Sequence, residues 1–262
     1  MSTTSKFEGD VADRWSDETY ANITRYLRHR AELLSSVGPA LAPGDRVLDL
    51  GCGDGRLGEF LVPYGLTYVG VDGSSSMVAA ARRRLGKAAE IVHADLNDYE
   101  PAAPVQATAL FGALYYVRDR GEFFERAAAF TEKKLVFNLS PRRYRLDEVG
   151  SELRAAGLDR LDLRPFFVPQ TVRLPDPLLG LLVAAERSGF LARALLRVRF
   201  SYVCAAFRSG ARTISESRVA SSSRTLRAAT DLAGRVARHP RRTTRDPGKR
   251  FPRGLSKGLP RA

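Results

Sequence analysis

Val47-Leu48-Asp49-Leu50-Gly51-Cys52-Gly53-Asp54-Gly55 decides how this chain is read. A short run of buried-strand character enters three glycines at alternate positions, and Arg56-Leu57-Gly58-Glu59-Phe60-Leu61 then starts a helical spacing of apolar residues. A strand that turns tightly into a helix leaves main-chain N–H groups pointing outward, and glycines let a ligand come close to them. That geometry suits a nucleotide-like cofactor. The spacing is not the G-x-G-x-x-G of the dinucleotide fingerprint, and a glycine turn alone leaves NAD, FAD and other ligands open.

Three carboxylates narrow the choice. Asp49 stands two residues before the first glycine, where it can face a cation. Asp72 closes the run Val69-Gly70-Val71-Asp72, where a carboxylate can accept two ribose hydroxyls. Asp95 closes Ile91-Val92-His93-Ala94-Asp95-Leu96, where an acceptor can meet an adenine amine.

Outward from the glycine turn the chain alternates. Strands are expected at 46–50, 67–71, 90–93, 105–110, 133–139, 161–167 and 200–207. Helices are expected at 17–36, 56–62, 74–85 (with Ser74 as N-cap), 120–131 and 146–156, the last closed by Gly157. The pattern predicts an α/β fold, a Rossmann-like doubly wound sheet of about seven strands with helices on both faces and ligands at the strands' carboxyl ends. Before the last strand lies an insertion, 168–199, read as two short apolar, partly basic helices that either cap the core or form a lid or a membrane-facing surface.

Composition bounds the rest. Of 262 residues, 44% are hydrophobic, enough for one full core. Two cysteines, Cys52 and Cys204, make no disulfide framework, and three scattered histidines make no zinc site. No signal core or membrane span is apparent, so a cytoplasmic protein is expected, with peripheral membrane contact as a variant. The net charge of +13 is local: residues 209–262 hold 14 Lys and Arg against 3 Asp and Glu, leaving 28 against 26 in the rest. The expected organisation is therefore a domain over 1–208 and a basic, largely disordered tail over 209–262.

On VLDLGCGDG, GVDGSSSMV and HADLND the chain resembles the class I S-adenosylmethionine-dependent methyltransferases, in element order over residues 17–208 and most sharply over 46–96. The resemblance implies S-adenosylmethionine as cofactor, with Asp49, Gly51, Cys52 and Gly53 around its methionine part. It implies Asp72 at the ribose, Met77, Asp95 and Leu96 around the adenine, and Phe111 and Gly112 at the sulfonium end. The chain departs from the family at strand 4, which opens on Val105-Gln106 without an acidic residue. It also lacks the Asn/Asp-Pro-Pro-aromatic element of amino-methylating nucleic-acid enzymes.

No catalytic constellation is visible. His93 is a candidate pocket base or a satisfied histidine, and Tyr115 and Tyr116 are candidate substrate contacts or packing aromatics. Arg142-Arg143 reads as an anion clamp or an exposed loop pair, Cys52 as loop filler more than nucleophile. Trp15, Tyr20 and Tyr26 belong to an N-terminal helix that closes over the cofactor or packs on the core. The expected activity is methyl transfer to an O, N or C atom of a small molecule, lipid- or quinone-like acceptors included. The alternatives are an RNA- or protein-modifying enzyme tethered by the tail, and a silent cofactor-binding module.

Overall fold

A computed structural model of the chain describes residues 11–188 and 201–210. Seven strands form one sheet: β1 (Arg46–Leu50), β2 (Thr67–Asp72), β3 (Ala89–His93), β4 (Val105–Leu110), β5 (Thr131–Leu139), β6 (Arg160–Phe166) and β7 (Ser201–Phe207). Their spatial order is β3-β2-β1-β4-β5-β7-β6. The first five are mutually parallel, and β7 runs antiparallel between β5 and β6. The order reverses at β1, so the loops after β1 and β4 diverge there and open a crevice.

Both faces of the sheet are covered, which is why the strands read as continuous apolar runs. Alternation along β1 sends Val47 to one side and Leu48 and Leu50 to the other. The first side packs under α2 (Ile23–Ser36), α3 (Gly58–Leu61), α4 (Ser75–Leu85) and α7 (Asp176–Arg187), through Leu34, Leu61, Ala81 and Val183. The second packs under α5 (Arg120–Phe130) and α6 (Leu146–Ala155), through Phe123, Phe124, Val149 and Leu153. Ser74 caps α4 by accepting from the Met77 N–H, and Gly157, at φ +79°, ends the turn after α6.

The expected helix over 17–36 is two helices, α1 (Val11–Thr19) and α2. Apolar periodicity carries across the break, but the backbone there is claimed by the insertion. The Ala21 N–H donates to the Gln170 carbonyl at 2.8 Å, and Asn22 Nδ2 to the Val172 carbonyl at 3.0 Å. The helix expected over 56–62 shortens to α3 and a 3₁₀ turn, Val62–Tyr64, because Pro63 sits at its start and Gly65 closes it at φ +78°. The insertion's first helix is α7, whose Leu179 and Val183 enter the core, so it caps the fold. Its expected second helix and the tail beyond Gly210 lie outside the described residues.

Two buried cations tie helices to the sheet. Lys134 of β5 is wholly buried, its Nζ donating to the carbonyls of Val37 (2.7 Å) and Ser35 (3.2 Å) at the end of α2. Burial, aided by Lys133, pushes that ammonium down to about 7. His29 of α2 pairs through Nε2 with Glu186 of α7, both side chains buried, while Glu186 Oε1 accepts from the Phe167 N–H at 2.5 Å. Burial opposes the His29 charge, but bonds to Glu186 and Glu32 outweigh it and raise its pKa.

Candidate active site

The carboxyl ends of β1–β5 open into a cleft of about 1310 Å³, roofed by α1 and the start of α2 and bordered by the insertion at Gln170. Its floor is the turn after β1. Gly51 and Cys52 N–H both donate to the Val71 carbonyl, at 2.8 and 3.0 Å, which folds the turn back onto β2. Gly51, Gly53 and Gly55 all have positive φ. At Gly51 a Cβ would lie 2.6 Å from the Ala113 Cβ, so only glycine lets the β4 loop approach. At Gly53 a Cβ would meet nothing within 4 Å, so there the main chain is open to the cleft.

Four carboxylates shape this floor and its edge. Asp72, ending β2, accepts from the Gly53 N–H (2.8 Å) and the Ser74 N–H (2.9 Å). Burial raises its pKa and the two amide bonds pull it back. Asp49 is 2% exposed and accepts from the Tyr68 hydroxyl at 2.6 Å. Burial raises it to about 6 against the pull of Tyr68 and Arg30. Asp54 is nearly as buried, accepting from Ser16 Oγ of α1 (2.6 Å) and Arg84 Nη2 of α4 (3.2 Å), which joins roof to floor. Asp95, more open, accepts from Asn97 (2.8 Å) and Arg118 Nη2 (2.6 Å). Those bonds outweigh its slight burial and hold its carboxyl below the usual range.

Arg30 enters the same cleft from α2. Its guanidinium is buried 4.6 Å from the Tyr26 ring centroid, 4.8 Å from Phe111 and 5.9 Å from Tyr20, and donates to the Tyr26 hydroxyl at 2.7 Å. Three aromatic faces, each contributing on the order of 0.5–2 kcal/mol, make that burial tolerable. From the sequence Arg30 reads as a solvated helix residue, because nothing in its spacing shows the rings that receive it.

The far wall belongs to the loops after β4 and β5. Gly112 N–H donates to Asn138 Oδ1 at 2.5 Å, joining them. The Tyr115 and Tyr116 rings pack with centroids 4.0 Å apart and a tilt of 42°, and Arg143 lies 5.3 Å over the Tyr115 ring. Burial, then Tyr115, raises the Tyr116 hydroxyl well above its ordinary pKa, so it acts as a neutral donor. His93 sits at the rim with Nε2 3.1 Å from the Gly73 carbonyl, a satisfied histidine on the β2–β3 side. Burial pushes the Cys52 thiol far up, and its sulfur fills the space beside Gly70.

The expected site residues Asp49, Gly51, Cys52, Gly53, Asp72, Met77, Asp95, Leu96 and Phe111 all line this one cleft, with His93, Tyr115 and Tyr116. Sequence reasoning missed Arg30, Asp54, Arg118, Asn138 and Gln170. The turn Gly51–Gly55 carried a signal for Asp54; the others are placed by tertiary contacts alone.

A family profile described as a methyltransferase domain matches residues 47–134, the span from β1 into β5 that builds the cleft floor. Solved structures share the fold. A Corynebacterium glutamicum TehB-like S-adenosylmethionine-dependent methyltransferase is 16% identical, with 76% of this chain and 97% of that one covered and a TM-score of 0.54. Magnesium protoporphyrin IX methyltransferase of Synechocystis, with S-adenosylmethionine bound, is 16% identical over 79% of this chain and 95% of its own (TM-score 0.54). Haemonchus contortus phosphoethanolamine N-methyltransferase 2 is 14% identical over 79% and 60% (TM-score 0.56). No curated protein matches the chain by sequence. Residues 47–134 thus carry a methyltransferase domain, on a fold shared with S-adenosylmethionine-dependent methyltransferases. The matched domain makes it an enzyme of methyl transfer, and S-adenosylmethionine is bound in the Synechocystis and Haemonchus structures.

Proposed function

We propose that the enzyme methylates an O, N or C atom of a small molecule held beneath α1 and α2. The observation that carries this is the shape of the cleft: about 1310 Å³ exceeds the roughly 300–1,000 Å³ of a single-ligand pocket and leaves room for donor and acceptor together. A roofed crevice excludes a duplex or a folded partner from the floor. Among the described residues no helix is long and apolar enough to cross a membrane.

The donor set fits the cofactor. Gly53 and Gly112, both at positive φ with open space at the Cβ position, expose main chain to the cleft. In this reading Gly51, Cys52 and Gly53 border the methionine part, with Asp49 and Arg30 below as its counter-charges. Asp72 keeps acceptor capacity for the ribose beyond its two amide bonds, and Met77, Asp95 and Leu96 border the adenine. Phe111 and Gly112 border the sulfonium end. When bound, the cofactor supplies an electrophilic methyl whose carbon–sulfur bond pair stays on sulfur as the acceptor's lone pair takes the carbon. The protein's part is alignment and exclusion of water, worth about 7–11 kcal/mol at best when the reacting atoms are held in line. Tyr20, Tyr116 and Asn138 supply polar groups for the acceptor. Calorimetry with S-adenosylhomocysteine tests the donor half: Asp72→Ala should weaken binding by at least about tenfold, the scale of 1.4 kcal/mol. Binding unaffected by that change removes the reading. A one-methyl mass increase in a small molecule of a cell extract tests the acceptor half.

A further inference from the structure

We propose that Arg142 and Arg143 form the binding site for an oxyanion carried by the methyl acceptor, a carboxylate or a phosphate; the inference rests on the small-molecule reading above. The cleft's other charged side chains are already engaged. Asp49, Asp54, Asp72 and Asp95 accept hydrogen bonds, Arg56 pairs with Asp17, Arg118 with Asp95 and Asp98, Arg30 bonds Tyr26, and His93 meets the Gly73 carbonyl. Arg142 and Arg143 line the same cleft, and among the described residues neither has an ion pair or a side-chain hydrogen bond. The contrast is local. Arg145, two residues on, is matched with Asp147 and Glu148 in the first turn of α6, whereas Arg142 and Arg143, exposed at the mouth of the cleft, have no acid beside them.

Geometry favours recognition over mere charge. The Arg143 guanidinium rests 5.3 Å from the Tyr115 ring centroid, and Tyr115 in turn packs against Tyr116, which holds the guanidinium in place and leaves its N–H groups to a partner. A planar fork with free donors is what carboxylates and phosphates bind bidentately. Asn138, tied to Gly112, anchors the start of the loop four residues before Arg142. A second, shallow hollow of about 380 Å³, walled by Leu114, Tyr115, Val117, Arg143 and Tyr144, adjoins Arg143. Charge is thus divided across the cleft: carboxylates at the ends of β1, β2 and β3, uncommitted guanidinium groups after β5. An anionic group finds its uncommitted cations at the second side.

The test uses the full chain loaded with S-adenosylhomocysteine, its binding measured first by calorimetry. Ligand-observed NMR then compares benzoate, inorganic phosphate and the neutral benzamide, and a small-molecule ultrafiltrate of the source cells is split on an anion exchanger and offered with methyl-labelled cofactor. The expected result is saturation transfer to an anion but not to benzamide, and label in the retained, anionic fraction. Arg142→Gln/Arg143→Gln should abolish the anion signal and raise KM for that fraction about tenfold or more, with S-adenosylhomocysteine affinity unchanged. Phosphatase treatment of the fraction separates the two chemistries: loss of acceptor activity assigns phosphate, survival assigns carboxylate. Label confined to the unretained fraction or to RNA, or a double variant that keeps both the anion signal and its KM, overturns the proposal. Failure to bind S-adenosylhomocysteine instead overturns the reading beneath it.

Discussion

Replacing Lys134 by Met should flatten the enzyme's stability–pH profile between pH 7 and 8.5. The lysine is wholly buried, has carbonyls and no carboxylate at its Nζ, and is pushed down to about 7 from an ordinary value of 10.5. For a base whose folded pKa is lowered, the unfolded chain binds the extra proton, so stability rises with pH between the two values. Integrating that linkage from pH 7 to 8.5 gives a gain of about 1.7 kcal/mol for the wild type and none for the variant. At about 2–4 °C per kcal/mol for a fold of this size, the wild-type midpoint should climb roughly 3–7 °C more than the variant's over that interval. Differential scanning of both proteins in a pH series measures it. The buried thiols of Cys52 and Cys204 are common to both and cancel in the difference. The absolute offset at any one pH mixes a removed charge with two carbonyls left without Nζ, so the slope is the quantity to read. Parallel profiles would show that Lys134 is neutral throughout or that water reaches it, and would refute the argument.

Other outcomes follow from the same contacts. Gly51→Ala should cost about 1–2 kcal/mol in left-handed backbone strain alone, and because its Cβ would fall 2.6 Å from that of Ala113 it should also lose S-adenosylhomocysteine binding by calorimetry. Gly53→Ala, with open space at its Cβ, should lose binding with a smaller drop in midpoint. Asp54→Ala should cost about 1.5–3 kcal/mol as the loss of a charged hydrogen bond, Arg84 keeping Glu59 and the main-chain carbonyl of residue 54, and, by releasing Ser16, red-shift the emission of Trp15, the chain's single tryptophan. The His29–Glu186 pair has the opposite pH sign from Lys134. Its raised pKa gives a contribution present in full below the ordinary value of 6.5 and lost as pH rises through the folded value. Amide exchange in α7, referred to its intrinsic rate, should therefore lose protection as pH rises from 6.5 in the wild type and not in Glu186→Gln.

The parallel half of the sheet was legible because β1 to β4 are short apolar runs soon followed by a glycine or an acid, and Asp49, Asp72 and Asp95 fall where such runs end. The break between α1 and α2 was not. Tyr20-Ala21-Asn22 keeps the apolar rhythm, and its reason is a carbonyl 149 residues away in sequence, at Gln170. Arg30 was hidden for a related reason: a cation on a helix reads as solvated unless Tyr20, Tyr26 and Phe111 are known to meet it. Asp72 was legible as a ligand-facing carboxylate, yet the bonds it makes to Gly53 and Ser74 show a second task, shaping the turn itself. The Arg142-Arg143 pair was ambiguous because an arginine's meaning rests on which acids stand near it, and that is a fact of three dimensions.

The antiparallel seating of β7 has a consequence for the basic segment that follows it. Tyr202 pairs with Leu139 at the cleft end of β5, and Phe207 pairs with Arg160 at the opposite end of the sheet. The chain therefore leaves the described fold at Gly210 on the back of the molecule, one strand length from the methyl donor, roughly 20 Å at about 3.3 Å per residue. A fusion partner joined directly after Gly210, in place of the segment that follows, would thus start behind the catalytic mouth and leave it clear.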